Sequence, residues 1–345
     1  KYFFSALIYH YSAIFSDILW VNNVCTDGTA ERLRALGAVV VEERVEPWRF
    51  DTARNRSLEL VPEDADICVC TDLDEVFHPG WRAALEAAWA DGTTQAVYRY
   101  TWNFNADGSE GTVFWIEKIH ARRGYRWTRP VHEVLERQEG WGPGRKCTAE
   151  GVQLDHHADP AKSRGQYLPL LELSVAEAPE DDRNTHYLGR EYLFYGRWDD
   201  CIRTLERHLS LPTAVWADER CASMRFLARA WRQKGRSEQA RRWLWRAIGE
   251  APHLREPYLE LARLLYEEAE WDGVVYLCRQ ALAITDRPQT YICEAEAWGS
   301  LPWDLLSLGL YHTGRRAEAL EAARQALALA PEDGRIRDNV AFLAG

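Results

Sequence analysis

The chain has 345 residues, which suits two domains, and 46% of them are hydrophobic, enough for a substantial core. Its net charge of −11 argues against nucleic acid as the dominant partner, because phosphate binding needs a basic surface, and no run of 18 apolar residues reads as a membrane span. The eight cysteines include no CxxC pair and read as reduced, buried small hydrophobes of a cytoplasmic protein.

The first 150 or so residues alternate strand and helix patterns. Ser5–Tyr9 and Asp17–Asn22 read as strands, Thr29–Leu36 as a short amphipathic helix with Asp27 or Thr29 as its cap, and Ala38–Glu42 as the next strand. Phe50–Val61 reads as a helix through the run ARNRS, Ile67–Thr71 as a buried strand, and Gly80–Ala90 as a helix. Val97–Thr101 and Thr112–His120 alternate in the β manner. This order predicts an α/β domain over 1–158 with a mostly parallel sheet and flanking helices. One gap strains the expectation. Between the first two strands there are too few residues for the crossover that parallel pairing needs, which points to a segment missing there or, less favoured, to a different pairing of the first strand.

The strand Ile67–Thr71 ends in TDLDE, Thr71–Glu75. Carboxylates crowded at the C-terminal mouth of a strand repel one another and call for a cation, and oxygen donors of this kind suit Mg²⁺ or Mn²⁺ beside a substrate phosphate. Asp74 is the leading metal ligand, with Asp72 on the metal or on a ribose. The plain alternative is a helix N-terminus rich in acids. Basic side chains for an anionic ligand are available at Arg122, Arg123, Arg126 and Arg129.

The second half is helical and periodic. Turn residues fall at Gly196, Gly235, Ala269 and Gly314, spaced 39, 34 and 45 apart. Small residues recur at matched positions: Gly189, Ala228, Ala262 and Ser307 on the first helices, Cys201, Ala240, Val274 and Ala319 on the second. A 34-residue period with small residues at helix crossings predicts about four tetratricopeptide helix pairs over 183–345, preceded by a linking helix over 159–182.

The N-terminal motifs, taken together, resemble the family 2 glycosyltransferases of GT-A fold. Cys25–Thr29 (CTDGT), Ala53–Ser57 (ARNRS), Thr71–Glu75 (TDLDE) and Thr128–Glu136 (TRPVHEVLE) stand in that family's order. Coupled to repeats, the chain is similar to bacterial peptide glycosyltransferases. The resemblance implies inverting transfer of a hexose from a UDP-sugar, with UDP-glucose the expected donor. It implies an Mn²⁺ or Mg²⁺ held by Asp72, Asp74 and His157, with His157 preferred to His156. Asn23, Asp27, Arg54, Asn55 and Asp72 would hold the nucleotide, with capping and bracing of their helix as the plain alternative for Arg54 and Asn55. Glu133 would be the general base, with a salt bridge to a nearby arginine as its plain alternative, and His132 would contact the acceptor or the metal. The sequence departs from the family at Asn22-Asn23, where an Asp pair is usual. A peptide or protein acceptor on the repeats is the expected partner, with a homodimer through the repeats as a further possibility. Two other readings stand beside this one: transfer to a glycan or lipid-linked acceptor, and a non-catalytic repeat scaffold carrying a degenerate transferase domain.

Overall fold

The computed structural model describes residues 4–10, 17–22, 28–72, 74–105, 107–158 and 165–345, the first two stretches by backbone alone. The chain divides into two compact units, 1–177 and 178–345.

In the first unit, β1 (Phe4–His10), β2 (Asp17–Asn22), β3 (Val39–Glu43), β4 (Ile67–Asp72), β5 (Glu75–Phe77), β6 (Gln95–Thr101), β7 (Val113–Ala121) and β10 (Lys146–His156) form one sheet in the order β3-β2-β1-β4-β7-β6-β10-β5. A separate ribbon pairs β8 (Tyr125–Thr128) with β9 (Val134–Arg137). The expected mostly parallel GT-A sheet is not what forms. Only β2–β3 and β6–β10 pair in parallel, whereas β1–β2, β1–β4, β4–β7, β6–β7 and β5–β10 are antiparallel. The physical reason is connection length. β1 and β2 are too close in sequence to enclose a crossover helix, so they pair antiparallel, while β2 and β3 are far enough apart to hold α1 (Thr29–Ala35) between them.

β4 is buried from Ile67 to Thr71 because helices cover both its faces. Side chains alternate along it. Ile67 and Val69 pack with Leu85 of α3 (Trp81–Ala88), and Cys68 and Cys70 pack with Leu58 of α2 (Phe50–Glu59) and with Trp127. Burial pushes the Cys70 thiol up to about 11, so it behaves as a small apolar residue. Helix α4 (Tyr167–Glu177), where a linking helix was expected, belongs to this unit. Its Glu177 accepts from Arg49 Nη1 at 2.6 Å, beside the start of α2.

The second unit is four helix pairs and a closing helix: α5 (Asp182–Phe194) with α6 (Trp198–Ser210), α7 (Ala217–Gln233) with α8 (Ser237–Glu250), α9 (Glu256–Glu267) with α10 (Trp271–Ala283), α11 (Leu301–His312) with α12 (Arg316–Leu329), then α13 (Gly334–Ala344). The tight turn inside each pair needs one left-handed residue. Gly196, Gly235 and Gly314 supply it at φ of +70°, +68° and +77°, and Ala269 adopts it at +58°. The 45-residue spacing is absorbed between α10 and α11, where a short 3₁₀ turn, Ala295–Trp298, is inserted. The small residues of the register are buried at the helix crossings. Gly189 lies against Leu205, so close that a β-carbon there would meet Leu205 Cδ2 at 2.3 Å.

Candidate functional site

At the end of β4 the carboxylates are matched by side-chain cations. Arg54, from α2, is buried and donates through Nη2 to both Asp72 oxygens, at 3.0 and 3.1 Å. Its Nε donates to Glu133 Oε1, and its guanidinium lies 5.0 Å over the Trp127 ring. Burial opposes the Arg54 charge, but Asp72 and Glu133 more than offset it and hold the guanidinium pKa well above its ordinary value. Lys118 of β7 approaches Asp72 Oδ2 at 3.5 Å and donates to Glu75 Oε1 at 2.7 Å. Glu75 also accepts from Tyr100 Oη at 2.7 Å and from the Asp72 backbone N–H at 2.8 Å. That N–H bond ties the Glu75 side chain to the backbone at the end of β4.

The other proposed site residues are placed as follows. Asp74 faces His156, whose Nε2 stands 3.5 Å from Asp74 Oδ2 and whose ring stacks on Trp102 at 4.6 Å. Burial alone would lower the His156 pKa; the bonds to Asp74 and to the Trp102 carbonyl raise it. His157 is exposed and stacks on Phe104, so of the adjacent pair it is His156 that turns toward Asp74. His132 adopts a left-handed backbone, φ +49°, and stacks on Tyr167 of α4. Asn55 braces the ribbon: its side chain donates to Trp127 O at 2.8 Å and accepts from Trp127 N at 2.9 Å. Asn23 and Asp27 lie outside the described residues. Arg54, Asp72 and Glu133 are thus brought into one cluster, Asp74 pairs with His156, and His132, His157 and Asn55 are engaged elsewhere.

The residues at TDLDE do not fit the expected cation site. Asp72 already faces two protein cations, and its two partners in the proposed ligand set point to different neighbours. Glu133 takes the salt-bridge role with Arg54. Reasoning from sequence missed Lys118 and Tyr100. The available signal was a lysine inside a strand that is apolar at Val113–Ile116 and Ile119.

In the repeats, a cleft of 410 Å³ is lined by the first three helix pairs and by the segment before α11. Leu193, Ala228 and Leu264 provide apolar surface, and Arg229, Arg232 and Arg263 alternate with Glu260, Glu294 and Glu296 around it. The charges pair in register: Arg229 Nη2 meets Glu260 Oε1 at 2.6 Å and Glu294 Oε1 at 3.0 Å, and Arg263 pairs with Glu296. Behind them Arg225 is fully buried between Glu260 and Glu294, 2.6 Å from each.

No protein-family model matches the chain, and no curated protein does. Solved structures similar to it are helical-repeat proteins. They include MamA (17% identity, 49% of this chain and 83% of that one, TM-score 0.38), a thermophilic TPR protein of Thermus thermophilus (24%, 52% and 91%, 0.37) and pilF of Pseudomonas aeruginosa (16%, 50% and 72%, 0.41). The expectation of a family 2 glycosyltransferase, and of an enzyme, is therefore corrected: no family model and no curated relative supports it, and the sheet expected to be mostly parallel is mixed. The UDP-sugar rested on that resemblance, and the Mn²⁺ or Mg²⁺ also on the crowded carboxylates after β4, where Asp72 faces Arg54 and Lys118. No helix among the described residues is long and apolar enough to cross a membrane.

Proposed function

We propose that the chain is a non-catalytic repeat scaffold that holds a protein partner in the cleft of its second unit. The observation that carries this reading is the cleft itself: an apolar floor rimmed by arginines of α7 and α9 and by glutamates of α9 and of the segment before α11. Stacked helix pairs present extended surfaces of this kind to other chains. The rim offers both donors and acceptors, so the partner that fits is an extended segment with an apolar anchor flanked by charged residues. The charge cluster around Arg54 supports the same reading, because its cations and carboxylates satisfy one another and brace α2 against β4.

The test is co-purification of the tagged chain from its native cells, repeated with Arg232→Glu/Arg263→Glu in the cleft and with Arg242→Glu, an exposed residue of α8 outside the cleft. The reading expects one protein retained by the wild type and by Arg242→Glu and lost by the double variant. Equal retention by all three would remove the cleft from the account.

A further inference from the structure

Three metal-ligating side chains from three helices meet within the first two repeats. Asp182 opens α5, His208 lies in the last turn of α6 and Glu219 in the first turn of α7. One ligand atom of each lies within 4.8 Å of the others. His208 is completely buried and Glu219 nearly so. His208 Nδ1 is 3.0 Å from Ser223 Oγ, which also meets His186 Nδ1 at 2.7 Å. His208 Nε2 has no hydrogen-bond partner among the described residues, although it points at Glu219 Oε1 from 3.4 Å.

That distance is informative. An N–H···O bond peaks at about 2.9–3.0 Å, and a buried ring nitrogen left just outside that range forfeits the bond after being stripped of water. Two ligands each about 2.1 Å from a tetrahedral zinc stand about 3.4 Å apart. The tautomer fits as well. With Nδ1–H donating to Ser223, Nε2 carries a lone pair toward a carboxylate, an arrangement that a cation between them stabilises. A hydrogen bond to the remote ring nitrogen is also how metal-bound histidines are oriented. Glu219 Oε2 is held by Tyr291 Oη at 2.5 Å, which leaves Oε1 turned to the histidine. The N-termini of α5 and α7 raise the local potential, and the two carboxylates offset it.

We propose that Asp182, His208 and Glu219 bind one divalent transition-metal ion, with Zn²⁺ the match for one imidazole and two carboxylates. The ion joins α5, α6 and α7 and so clamps the first helix pair to the second. This site is independent of the cleft proposed above and of the residues at TDLDE.

Chelator-stripped protein is titrated with ZnCl₂ by calorimetry, and bound zinc is counted after desalting. One equivalent per chain is expected, together with a visible absorption band of tetrahedral type when Co²⁺ replaces zinc. His208→Gln is expected to weaken binding roughly 100-fold or more. Asp182→Asn, at a partly exposed position, makes the same test without a buried substitution, and metal-free melting curves verify that each variant folds. No saturable equivalent in the wild type overturns the proposal. So does an equivalent that Asp182→Asn retains at unchanged affinity, since that ion is held elsewhere.

Discussion

Arg225 Nε donates to Glu260 Oε1 at 2.6 Å, linking α7 of one repeat to α9 of the next from a position with 1% of its side chain exposed. Removing the carboxylate leaves a buried guanidinium that Glu294, itself 38% exposed, compensates only in part. We expect Glu260→Ala to cost about 3–5 kcal/mol in urea denaturation of the second unit. Arg229→Ala, at the more exposed edge of the same network, should cost about 1 kcal/mol. Equal costs at the two positions would mean that Arg225 does not depend on Glu260.

Gly189→Ala is expected to destabilise the second unit despite the helix propensity it gains. The added methyl would overlap Leu205, and overpacking of this kind costs about 1–3 kcal/mol against a propensity gain of about 1 kcal/mol. Thermal melting read by circular dichroism checks the sign. A variant more stable than the wild type would show that α5 and α6 can separate without penalty.

In the first unit, Arg54→Met would leave Glu133 and Asp72 facing each other with only Lys118 nearby. Loss of about 3–5 kcal/mol is expected. Adding Glu133→Gln to Arg54→Met should recover part of it, because the second change removes a stranded charge. A double variant less stable than Arg54→Met by the full cost of Glu133→Gln alone would show that the two side chains do not interact.

The stability of the first unit should also fall in mild acid. Burial lowers the His120 pKa to about 4, although its bond to the Ala121 carbonyl works the other way. The unfolded chain takes up this proton as pH drops through about 6.5, and the folded one only near 4. Between those values the unfolded state binds more protons, so stability decreases with falling pH, by on the order of 1.4 kcal/mol per unit from this residue. His120→Phe should flatten the slope between pH 6 and 4.5. An unchanged slope would place the proton uptake on another group.

The repeats could be read from sequence because helix-pair packing is local. Each crossing needs a small residue at a fixed offset from its turn, so Ala228, Ala240 and Ala247 announce a repeat without knowledge of distant chain. In the same register His208 stands where the later repeats have Ala247, Ala281 and Ala326. What it faces, Asp182 and Glu219, lies on other helices and was not legible. Strand direction was harder. Alternation along Val97–Thr101 or Thr112–His120 reports which residues face inward but not whether the neighbour runs parallel. The pairing of Arg54 with Asp72 and Glu133 spans 18 and 79 residues, and no local pattern encodes it. Acidic residues at the end of a buried strand therefore suggested a metal where the fold supplies an arginine and a lysine.

The central claim is that the cleft between Leu193 and Leu264 receives a partner chain. A photo-crosslinking amino acid placed at Arg232, on the cleft, and separately at Arg242, outside it, tests this in the native cells. The account predicts one adduct of discrete mass from position 232 and none from 242. Adducts at both positions alike, or at 242 alone, would contradict it.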